Sequence, residues 1–110
     1  MSPFLLGHIP STAERKVFYS HMSITTHVGQ GGHAVQACKV TALDGDGGAG
    51  RWRVIPSPPA LIASNSRNRV VIEGVAYFLL NLFYNNHANL KPDAIAVFGL
   101  ATEEWRPTML

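Results

Sequence analysis

The sequence predicts an α+β domain: an antiparallel sheet of about four strands in the order β-β-β-α-β, with one long apolar helix packed across it. Three observations carry that expectation. Residues 17–28 alternate with period two through β-branched and aromatic side chains. Glycine-rich stretches separate this run from further Val- and Thr-rich segments. The run Val70 to Tyr84, VVIEGVAYFLLNLFY, is apolar on a wide front. Wound at about 100° per residue, its apolar side chains cover about 200° of a helix surface, where a surface helix needs a stripe of ~100°.

Each element follows from its own residues. Residues 1–12 read as an N-terminal arm with Phe4, Leu5, Leu6 and Ile9 available for docking. Ser11-Thr12-Ala13-Glu14 has capping-box spacing, which allows a short helix over 12–20. The alternation starting at Val17 competes with it, and a strand over 17–28 is the preferred reading. Gly29 to Gly32 is a turn, residues 33–43 are a second strand, and Asp44 to Gly50 is a flexible connection. Residues 51–55 form a third strand, stopped by Pro56, Pro58 and Pro59. Residues 60–63 are a short apolar patch without assignment. Ser66 or Asn68 caps the long helix over 70–84, and Asn85, Asn86 and His87 close it. Residues 94–100, AIAVFGL, are apolar on both faces and suit a central buried strand. A tail over 102–110 carries Trp105.

At 110 residues the chain is expected to be one domain, 1–110. Its 46% hydrophobic and 15% charged content fits a folded core beneath a charge-poor surface. A net charge of +2 is too mild for a dedicated nucleic-acid binder. The single Cys38 excludes an internal disulfide and any multi-cysteine zinc site, which makes the cytoplasm the expected compartment. The N-terminus lacks a basic region followed by a long apolar one, so no signal peptide is expected. The 70–84 run holds Glu73 and Asn81 and falls short of the ~20 residues of a membrane span.

Motifs for chemistry are weak. His21 and His27 would share a strand face at roughly 20 Å, too far apart for one metal. His27 and His33 flank the glycine turn, yet no spacing brings a third ligand, and no metal or cofactor is expected. Asp44-Gly45-Asp46 opens like a calcium loop, but Ile55 stands where a bidentate Glu belongs. Cys38 lies among Ala and Val, a setting for a small buried side chain rather than a nucleophile. Arg67 and Arg69 precede the long helix, whose N-terminus offers free N–H donors, and Arg51 and Arg53 bracket Trp52. These four arginines are the candidates for a small anion or nucleotide.

The remaining signal concerns association. On the helix, Tyr77 and Tyr84 mark a seam beside the surplus apolar arc, where Leu80 and Phe83 also lie. With Trp105 in the tail, these residues form the expected interface. The function expected is a small non-catalytic protein-binding module, an inhibitor or adaptor, that pairs with itself as a homodimer. The alternative is an anion- or nucleotide-binding protein, or a small enzyme, using the arginines.

Overall fold

A computed structural model of the chain describes residues 4–27, 30–43, 50–63, 69–80 and 95–107, with side chains described outside 24–27 and 30–34. It is an all-β arrangement of two four-stranded antiparallel sheets. The first joins β1 (Phe4–Ile9), β2 (Glu14–His27), β3 (Gln30–Leu43) and β4 (Arg53–Ile55) in chain order. The second joins β5 (Arg69–Ile72), β6 (Val75–Leu79), β7 (Ile95–Gly99) and β8 (Glu104–Trp105), again in chain order.

The first sheet keeps the alternation read from the sequence. Phe18 and Ser20 are buried while Arg15 and His21 are exposed. The turn joining β1 to β2 uses Ser11-Thr12-Ala13-Glu14 differently from a helix cap. The Thr12 hydroxyl accepts the Glu14 N–H at 3.3 Å, and Ala13 adopts φ 59°, so Ile9 and Glu14 close a hairpin. Residues 4–9, expected in an arm, are therefore an edge strand, and 14–20 are strand throughout. Beyond Ser20 and Cys38, β2 and β3 run on as a two-stranded ribbon to His27 and Gln30, past the registers of β1 and β4.

The long helix predicted over 70–84 is overturned, and with it the α+β class. Residues 69–79 form a tight hairpin in which Ile72 pairs directly with Val75. Glu73 and Gly74 make its two-residue turn at φ 51° and 80°, the doubly positive pattern whose twist matches that of antiparallel strands. The physical reason lies in the side chains. Val70, Val71, Ile72 and Val75 are β-branched, and Tyr77 and Phe78 are aromatic, types that lose rotamer freedom in a helix and pack well on a pleated surface. Glycine at position 74 is also costly inside a helix. The run is apolar on both faces of its strands, so a helical count collected residues from each face into one arc. The segment 81–84 lies outside the described residues. Residues 95–99 form the expected buried strand, and the tail contributes β8.

The two sheets pack through their inner faces. Phe18 from β2 meets Phe78 of β6 at 5.1 Å and Phe98 of β7 at 5.4 Å between ring centroids. Trp105 stands edge-on to Phe18 at 6.0 Å and lies 4.9 Å from Phe98. Cys38, Val40, Ile55, Ala76, Leu80, Ala96 and Leu100 complete this core. A Cβ at Gly7 of β1 would collide with Cδ1 of the buried Leu100, which would have to shift to admit it.

Among the described residues, two polar fastenings between the layers use buried side chains of the first sheet. Gln36, buried on β3, donates from Nε2 to the Ile62 carbonyl at 3.0 Å and accepts the Ile62 N–H at 2.8 Å. Its amide thus serves the 60–63 segment as a ladder partner, while Ala63 N–H donates to the Leu79 carbonyl at 2.8 Å. The buried Lys16 Nζ donates to the Leu100 carbonyl at 2.9 Å and to Glu103 Oε2 at 2.8 Å. Arg53 grips the same carboxylate. Glu103, itself at φ 57° in the β7–β8 turn, ties that turn to β2 and β4.

Candidate functional site

Two surfaces stand out once the core is accounted for. The first is the outer face of the second sheet. Parity places Val70, Ile72, Val75, Tyr77 and Leu79 on the side away from Phe78 and Ala76. Val70, Ile72 and Leu79 are 50%, 55% and 42% exposed, and Val75 and Tyr77 are half-buried. Val97, the cross-strand neighbour of Tyr77, is already buried, so the open area lies on β5 and β6. An antiparallel sheet with one solvated face ordinarily alternates apolar and polar residues. This one does not.

The second surface is a cleft on the outer face of the first sheet. Phe4, Tyr19, Lys39 and Val54 occupy one cross-strand row over all four strands. Trp52, just before β4, reaches back over that row. Its ring lies 6.3 Å from Tyr19 and 6.4 Å from Phe4, and the Phe4 and Tyr19 rings are 5.0 Å apart. The planes meet at 43° to 72°, so the rings form the tilted walls of a cup rather than a stack. Phe4, Tyr19, Lys39 and Trp52 line a space of about 380 Å³. Arg69 Nη2 donates to the Phe4 carbonyl at 2.6 Å and brings a second cation to this end. Burial holds the Arg69 pKa below the ordinary arginine value.

The residues singled out in the sequence fall in different places. Tyr77 is half-buried on the outer face of β6. Leu80 is buried, bridged to Ile62, and Trp105 belongs to the ring cluster with its Nε1 donating to the Pro56 carbonyl at 2.8 Å. Phe83 and Tyr84 lie outside the described residues. Three of the four arginines lie among the described residues. Arg53 is bound to Glu103, Arg69 opens a strand rather than preceding a helix, and Arg67 lies outside the described residues. Arg51 is exposed, its carbonyl accepting the Thr41 hydroxyl at 3.2 Å. His27 pairs in register with Gln30 and His33 with Thr25, so the two histidines do not face one another. Among the described residues no three His, Cys, Asp or Glu side chains gather as a metal would require. Burial pushes the Cys38 thiol up to about 12, so it stays protonated at neutral pH.

Phe4 and Tyr19 were not candidates from sequence alone. Tyr19 was visible as one member of an alternating set, and Phe4 as part of an arm. Only strand pairing puts them on one row beneath Trp52. No helix among the described residues is long and apolar enough to cross a membrane. No family model, curated protein or solved structure matches this chain.

Proposed function

We propose that the chain is a non-catalytic protein-binding module that pairs with a second copy of itself through the outer face of its second sheet. One observation carries the reading: Val70, Ile72 and Leu79 present exposed aliphatic side chains together on adjacent strands, beside Val75 and Tyr77, with no charge among the described residues of that face of β5 and β6. Contiguous apolar patches on a soluble surface mark places where another surface sits. A twisted sheet face is also self-complementary, since two such faces pack at ~10 Å with interdigitated side chains. An inhibitor or adaptor role follows if the same face covers a larger protein's surface in place of a second copy.

Light scattering tests this directly. The expected mass is twice the 11.9 kDa of the chain, and Ile72→Lys should return it to 11.9 kDa with an unchanged circular dichroism spectrum. Ile72 is over half exposed, so the substitution leaves the core intact. A wild-type protein that stays at monomer mass at high concentration would overturn the dimer.

A further inference from the structure

We propose that the cup formed by Phe4, Tyr19 and Trp52 beside Lys39 is a binding site for a small aromatic anion, a flat ring bearing an acidic group. The cup belongs to the first sheet and is independent of association through the second. Its volume of about 380 Å³ lies in the range of small-molecule sites. Its walls include three rings inclined to one another at 43°, 51° and 72°, which offer a flat guest aromatic surface in more than one orientation. Ring faces alone would equally welcome an organic cation. Charge decides between them. Lys39 lines the space, and the Arg69 guanidinium, outside that lining, is held beside Phe4 by donating to its carbonyl at 2.6 Å. Both repel a cation and attract an acidic group.

The two components divide the work. Trp52 supplies stacking area that tolerates many rings, and Lys39 selects for negative charge. Lys39 is exposed, so its removal does not disturb the core.

The test uses adenosine 5′-monophosphate as the aromatic anion, followed by tryptophan fluorescence on a Trp105→Phe background that leaves Trp52 as the reporter. Adenosine, inorganic phosphate and phenyltrimethylammonium serve as the uncharged, ring-free and cationic comparisons. The monophosphate should quench saturably, with at least tenfold weaker binding for adenosine and for phosphate. Lys39→Gln should weaken the monophosphate about tenfold and leave adenosine unchanged. Phenyltrimethylammonium binding more tightly than the monophosphate would overturn the charge assignment. An affinity that Lys39→Gln does not alter would do the same. Absence of saturable binding by any of the four would overturn the site. Should Trp105→Phe fail to fold, isothermal calorimetry on the unaltered chain reads the same four affinities.

Discussion

In the first sheet, β2 turns Arg15, Tyr19 and His21 outward while Phe18 and Ser20 point into the core. In the second, β6 turns Val75, Tyr77 and Leu79 outward against Ala76 and Phe78. Both sheets are four-stranded antiparallel meanders, and both contain a four-residue turn whose last residue has positive φ, Ala13 in one and Glu103 in the other. The backbone plan is shared; the chemistry of the outer faces is not. Sheet geometry dictates which residues point away from the core, whereas their polarity is set by what those residues meet.

The largest expected effect bears on whether the two sheets form one cooperative unit. Phe18 touches Phe78, Phe98 and Trp105 across the interface. Phe18→Ala should cost about 3–5 kcal/mol in equilibrium urea unfolding, and Phe78→Ala from the other side a similar amount. Either loss should shift a single unfolding transition. Two separate transitions would show that the sheets unfold independently.

A middle-sized effect compares the turns. Gly74 holds φ 80° with room for a methyl group, its nearest neighbour Ile9 Cα lying 3.4 Å from the Cβ position. Conformation alone therefore sets the cost of Gly74→Ala, about 1–2 kcal/mol by thermal unfolding. Ala13 bears that strain already at φ 59°. Ala13→Gly should gain less than about 1 kcal/mol, because the freer unfolded chain offsets part of the relief. Equal and opposite changes at the two sites would contradict this account.

The smallest effect concerns pH. The hydrogen bond from Arg53, aided by Lys16, holds the Glu103 carboxyl below its ordinary value, with burial opposing. A carboxylate whose pKa is depressed by folding stabilises the fold above its unfolded value and loses that contribution as pH falls through the folded one. Melting temperature should therefore fall more steeply below about pH 4.5 in the wild-type chain than in Glu103→Gln. The difference is modest, since water reaches the Arg53 side chain, which is 46% exposed. Identical acid profiles would remove Glu103 as a tie between the sheets.

Much of the first sheet was readable in its residues. Alternation from Val17 onward gave β2, and Val- and Thr-rich residues up to Leu43 gave β3, both within a few residues. Three prolines marked the end of β4. The second sheet was half readable. Residues 94–100 announced a buried strand because they are apolar on both sides, and the same property hid the β5–β6 hairpin. A run without alternation carries no phase information, so its period has to come from other cues. Glu73-Gly74 between β-branched residues was that cue, outweighed by the length of the run. Of the candidate site, Trp52 flanked by basic residues was visible as a stacking platform. Its companions were not, because Phe4 and Tyr19 are fifteen positions apart and become neighbours only through β1–β2 register.

By itself the sequence determined that the run 17–28, described as far as 27, and the run 33–43 would be strands, and that Cys38 would be buried. Those properties are local: side-chain alternation, β-branching and composition act within a few residues. The tertiary structure alone decided that 69–79 folds back on itself as a hairpin, that Trp105 packs against the core, and that Glu103 joins Lys16 to Arg53. Each of those outcomes depends on a partner surface supplied by residues tens of positions away. Burial between two sheets rewards an apolar face wherever its partner stands, and nothing within a short window of chain specifies that partner.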